Sequence, residues 1–193
     1  MHHLKRFFCM TAAIIILSGG PGYTAHAKAD VANSVQEYVI FSDRDNIKIQ
    51  DMRKKSELTE EQLRAYLQRF PNLLGIEEAL IEAQDKYNVN AILMLAIIRL
   101  ESGNGRSSLA INNNNLGGIV APADSIAVYR SFDSKRDCVM FMARLLGEQY
   151  LTDGGRFFNG YTLADINKKY SVSNSWSTKV SDIMYEVQWR LGW

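Results

Sequence analysis

From Thr59 onward, polar and apolar positions alternate with helical period. Thr59 followed by Gln62 reads as a capping box, and Leu63, Tyr66, Leu67 and Phe70 then recur on one face until Pro71 ends the element. Ile76, Ala79, Leu80, Ala83 and Tyr87 mark a second amphipathic helix. Asn90 is a candidate N-cap for a third, in which nine of the ten residues from Ala91 to Leu100 are apolar. A helix apolar nearly all round belongs in a core, and this one is too short to span a bilayer.

Residues 102–133 lose the helical period and are rich in Gly, Asn and Ser. Ser134 with Asp137 opens a further helix whose apolar face is Cys138, Phe141, Met142, Leu145 and Leu146. Thr162 and Asp165 repeat the capping logic before a short helix ending near Tyr170. A last helix carries Trp176, Val180, Ile183, Met184, Val187 and Leu191. The expected fold class is mostly α, in the α+β sense, with one irregular or hairpin segment between helices.

Two stretches precede this pattern. In residues 1–27, Lys5 and Arg6 lead into the apolar run Phe7–Leu17, then helix-breaking Gly19, Gly20, Pro21 and Gly22, then Ala25-His26-Ala27. That is the layout of a cleavable secretory signal peptide, since the run is much shorter than the roughly 20 residues a span requires. Residues 28–58 are polar, with a candidate strand at Tyr38-Val39-Ile40-Phe41 and a basic run at Arg53-Lys54-Lys55, and read as a linker or N-terminal arm. The domain proper is expected over 59–193.

Composition narrows the chemistry. The chain has 193 residues, 47% of them hydrophobic, with 22 basic and 21 acidic residues, so no electrostatic footprint points to nucleic acid. Removing residues 1–27 leaves 166 residues, a net charge near −1, Cys138 as the sole thiol and no histidine, because His2, His3 and His26 all lie in the signal segment. No metal site, cofactor or Ser-His or Cys-His nucleophile is therefore expected, nor an integral span after cleavage, and the protein reads as a monomer. Cys138, beside Val139, Phe141 and Met142, fits a small core hydrophobe.

What remains is carboxylate chemistry. Glu101 ends the apolar helix and opens Glu101-Ser102-Gly103-Asn104-Gly105. Apolar surroundings and the negative end of the helix dipole both favour a protonated acid, as a general acid requires. Equally, a helix-terminal glutamate can face solvent or pair with Arg99. Asn112–Asn115 with Gly117 and Gly118 could line a site for a neutral, hydroxyl-rich ligand, or form a plain loop.

Read together, these residues resemble glycoside hydrolase family 73, the glucosaminidases of the lysozyme-like superfamily. The pattern Glu-Ser-x-x-Gly-x-Ser-x-Leu-Ala is matched by Glu101, Ser102, Gly105, Ser107, Leu109 and Ala110. Asn-Asn-Leu-x-Gly-Ile is matched by Asn114, Asn115, Leu116, Gly118 and Ile119. Tyr129-Arg130-Ser131-Phe132-Asp133-Ser134, and Tyr170-Ser171 followed by Lys179-Val180, resemble later family motifs, so the likeness runs from about Leu73 to Val187.

The resemblance implies a lysozyme-like helical domain with a short β-hairpin lobe. It also implies cleavage of the β-1,4 bond after N-acetylglucosamine in peptidoglycan, outside the cytoplasm at the cell wall. Glu101 would be the general acid and Tyr170 the active-site tyrosine, with Asp124 on the hairpin tip as a candidate for activating water. Ser102, Asn115, Gly118 and Tyr129 would meet the glycan strand. A lytic transglycosylase or muramidase on the same scaffold, or a wall-binding protein without activity, are the competing readings.

Overall fold

The computed structural model describes residues 43–121 and 128–192. The signal segment, the candidate strand at Tyr38–Phe41 and Asp124 lie outside the described residues. Among the described residues, seven α-helices follow residue 59: α1 (Glu60–Leu67), α2 (Glu77–Tyr87), α3 (Ala91–Glu101), α4 (Ser108–Asn112), α5 (Lys135–Leu145), α6 (Leu163–Tyr170) and α7 (Trp176–Arg190). A 3-10 turn at Pro71–Leu73 lies between α1 and α2.

The expected caps are in place. Thr59 and Thr162 each form a reciprocal capping box with the residue three on, and the side chains of Asn90 and Ser134 accept the N–H of Leu93 and Asp137. These bonds satisfy amides that a helix start otherwise leaves without partners. At its far end α2 stops on Asn88, whose φ of 54° is left-handed.

Every residue from Ala91 to Arg99 is buried, so α3 is the axis of the core. It packs most extensively on α7, while α2 packs on α5. The corner between α2 and α3 is fixed by Gln84, whose buried Oε1 accepts the N–H of Ala91 (2.9 Å) and of Ser56 (2.7 Å). Ile47, Met52 and Leu58 join the same core. Met52 donates its N–H to the Tyr161 carbonyl (2.8 Å) and accepts that of Asn90 (2.9 Å), which ties residues 51–58 to the starts of α3 and α6.

The sequence pattern and the structure part at two places. Residues 102–133 include the short helix α4, capped by Ser107, which accepts the Ala110 N–H. Leu146, expected on the face of α5, instead begins a π-helical turn at Leu146–Tyr150. Gly147 in that turn abuts the Tyr87 carbonyl so closely that a Cβ there would lie 2.4 Å from the oxygen.

Among the described residues, the hairpin pairs through a single bridge. Val120 and Tyr129 form an antiparallel bridge, flanked by Ala121 N–H to Val128 O (2.7 Å) and Arg130 N–H to Ile119 O (2.8 Å). Among the described residues, no helix is long and apolar enough to cross a membrane.

Candidate active site

The C-terminal end of α3 brings the backbone out of the core. Leu100 is half-buried and Glu101 is exposed, two residues beyond the nine buried residues Ala91–Arg99. The carboxylate is thus not enclosed in apolar surroundings as the run of hydrophobic residues suggests, because the last turn points it away from the core. Its Oε1 accepts a hydrogen bond from the indole N–H of Trp176 at 2.9 Å.

The turn after Glu101 is tightly determined. Gly103, Asn104 and Gly105 all have left-handed φ, between 57° and 78°. A Cβ on Gly105 would lie 2.8 Å from Leu73 Cδ2, so the turn closes against the 3-10 turn. Ser102 is fully buried: its hydroxyl donates to the Ile98 carbonyl (2.6 Å) and accepts the Gly105 N–H (2.7 Å). Both hydrogen-bonding roles of Ser102 are therefore used within the protein, and the side chain shapes the turn rather than meeting the glycan as the motif suggested.

Arg99 secures the same turn from the opposite side. It does not pair with Glu101. Its buried guanidinium donates to Asn104 Oδ1 (2.9 Å), to Glu186 (2.9 Å) and to the Tyr66 hydroxyl, and lies 4.2 Å from the centroid of the Phe70 ring.

The asparagine run likewise works inward. Asn115 is buried; its amide donates to the carbonyls of Ile119 and Arg130 (both 2.9 Å) and its oxygen accepts the Ile119 N–H (2.9 Å). Asn114 donates to the carbonyls of Phe132 and Asp133, and Asn113 to the Ser131 hydroxyl. These side chains fasten the hairpin stalk to the loop before it, so Asn115 too acts on backbone. Gly118, with φ of 61°, needs the left-handed conformation but has open space around its α-carbon, and Tyr129 exposes 51% of its surface on the hairpin. These two remain available to a ligand.

Behind Glu101 stands an aromatic stack. Tyr170 packs on Trp176 with centroids 4.6 Å apart and planes 29° from parallel. Tyr150 follows at 5.6 Å and Phe157 at 5.0 Å from Tyr150. Burial, with the Glu101 charge next, pushes the Tyr170 phenol far above its ordinary range, so it stays protonated at any working pH.

The structure brings Glu101 and Tyr170 to one place and adds Trp176, which sequence periodicity assigned only to the core face of the last helix. The signal was faint: a tryptophan in a core position still carries an N–H that needs an acceptor. Cys138 is buried, its sulfur accepts the Leu116 N–H (3.2 Å), and burial raises its thiol to about 11. That is an inert core cysteine.

Known proteins share this architecture. Autolysin E of S. aureus, solved as a catalytic mutant in complex with the disaccharide NAG-NAM, superposes with a TM-score of 0.61 at 21% identity, over 76% of this chain and 73% of that one. The catalytic domain of the autolysin Auto from Listeria monocytogenes gives 0.51 at 18% identity, over 88% and 99%. At these identities the likeness concerns the fold, which is that of the lysozyme-like autolysin domains. In sequence, two candidate endo-beta-N-acetylglucosaminidases of Streptococcus pneumoniae are 30% identical over 130 residues, 63% of this chain. The chain spans about a fifth of the length of those relatives, 20% and 18%. The model of the glucosaminidase family, described as mannosyl-glycoprotein endo-beta-N-acetylglucosaminidase, matches residues 77–189. With more than half of its residues under that match, the chain belongs to the glucosaminidase family.

Proposed function

We propose that this protein is an exported hydrolase of peptidoglycan that cleaves the β-1,4 bond after N-acetylglucosamine, with Glu101 as general acid. The observation that carries the reading is the setting of Glu101: a solvent-facing carboxylate on the last turn of a buried helix, held by the indole N–H of Trp176. Family membership supports the substrate class, as do the relatives named as autolysins, one of them solved with NAG-NAM and another time with a muropeptide. The layout of residues 1–27 supports export to the cell wall.

In this mechanism the Glu101 carboxyl gives its proton to the glycosidic oxygen as the C1–O bond breaks and the bonding pair passes to the leaving oxygen. Positive charge develops on the sugar. Tyr170, kept neutral, presents an oxygen dipole to that charge without competing for the proton. Asp124 then activates water, unless the substrate's own N-acetyl group does so. Gly118 and Tyr129 contribute binding surface on the hairpin.

Glu101→Gln keeps shape and hydrogen bonding but has no proton to give. Loss of the acid is expected to lower activity by about 10²–10⁴-fold. In a zymogram with peptidoglycan in the gel, the variant should leave no clearing while its circular dichroism matches that of the parent. Clearing equal to the parent's would remove Glu101 from the mechanism.

A further inference from the structure

We propose that Trp176 is a positioning residue for proton delivery, choosing which oxygen of Glu101 carries the proton. The inference rests on the reading of Glu101 as the acid. An indole N–H is a donor with no acceptor capacity. With that donor 2.9 Å from Oε1, Oε1 must be the carbonyl-like oxygen whenever the carboxyl is protonated, and the proton resides on Oε2. The same bond fixes the rotation of the carboxyl plane, which is otherwise free at an exposed glutamate.

The bond also changes strength along the reaction. While the carboxyl is neutral it is an ordinary hydrogen bond. As the proton leaves Oε2 for the glycosidic oxygen, negative charge spreads over the carboxylate and the bond becomes charge-assisted, roughly twice as strong. An interaction stronger in the transition state than in the ground state lowers the barrier rather than tightening substrate binding.

The surroundings hold the indole still. Trp176 is 5% exposed and stacked on Tyr170, which is braced by Tyr150. Trp176 is the first residue of α7, and the start of that helix is tied down by Asn167: its Oδ1 accepts the Ser177 N–H (3.0 Å) and its Nδ2 donates to the Ser173 carbonyl (3.1 Å). Burial leaves the indole N–H in need of an acceptor, and the acceptor it meets is the Glu101 carboxylate.

Trp176→Phe keeps the stacked ring and removes the donor, which makes it the deciding variant. On soluble glycan strands, kcat should fall about 10–100-fold, the range for losing a hydrogen bond to a charged group, with KM nearly unchanged. The thermal midpoint should stay close to the parent's. Independently of activity, the Trp176 indole resonance in a 15N–1H spectrum should move with pH in the parent and stay flat in Glu101→Gln. An unchanged kcat in Trp176→Phe beside an inactive Glu101→Gln overturns this inference and leaves the assignment of Glu101 standing. So does an indole titration that persists in Glu101→Gln. Full activity of Glu101→Gln overturns the assignment and this inference with it.

Discussion

Replacing Glu186 by glutamine should weaken the fold at neutral pH and cease to matter in acid. Glu186, on α7, accepts from Arg69 (2.7 Å), Arg99 (2.9 Å) and Arg190 (3.0 Å). Burial by itself would raise its carboxyl, but the hydrogen bonds from Arg69 and Arg99, the Arg99 charge and the Arg190 bond outweigh it and push the group from 4.5 to about 2. At about 1.36 kcal/mol per pH unit that fall corresponds to ~3 kcal/mol at full strength. Glu186 is 29% exposed, and Arg69 and Arg190 about 40%, so solvent screens much of this and roughly 1–2 kcal/mol is expected. For a domain of this size that means a midpoint lower by about 3–8 °C at pH 7.

The folded-state value lies below the unfolded one, so the stabilisation is complete above pH 4.5 and is lost as pH falls toward 2. Urea denaturation of parent and Glu186→Gln at pH 7 and pH 3 measures both. A gap that is large at pH 7 and shrinks by pH 3 fits the reasoning. An equal gap at both values, or none at pH 7, refutes it. Because Arg99 also holds Asn104, the same variant should loosen the turn after Glu101.

Other substitutions probe the scaffold around the site. Asn115→Ala removes one donor pair and one acceptor from partly buried backbone groups and should cost about 1–3 kcal/mol, with faster amide exchange at Ile119 and Arg130 than elsewhere in the domain. Uniform exchange would show the hairpin stalk has other supports. Gly147→Ala pushes a methyl group 2.4 Å from the Tyr87 carbonyl, a backbone atom that cannot swing aside; a loss of about 1–3 kcal/mol or more in urea denaturation is expected. Parental stability would mean that the π turn yields readily.

The parts legible in the sequence were those that local chemistry determines. Thr59, Asn90, Ser134 and Thr162 act on amides two or three residues away, so their caps could be read directly. The burial of α3 follows from its composition alone. Of the proposed site, Glu101 could be picked out from its place at the end of the apolar helix, and Tyr170 and Tyr129 only through the family resemblance. Trp176 reaches Glu101 across 75 positions and Glu186 reaches Arg99 across 87, and such pairs are set by how α3 packs on α7, which periodicity does not encode. The polarity of Asn113–Asn115 was visible, but whether it faces a ligand or the protein's own carbonyls is decided by the path of residues 128–133. The widening of α5 into a π turn depends on the close approach of Gly147 to the end of α2, again a tertiary matter.

The central claim concerns which bond is cut and by which group. Mass analysis of peptidoglycan digested by the parent enzyme and by Glu101→Gln addresses it directly. The parent should release fragments with a reducing N-acetylglucosamine end, and Glu101→Gln should release none above background. A reducing N-acetylmuramic end, an anhydro-muramic end, the absence of any product from the parent, or an undiminished yield from Glu101→Gln would each contradict the account.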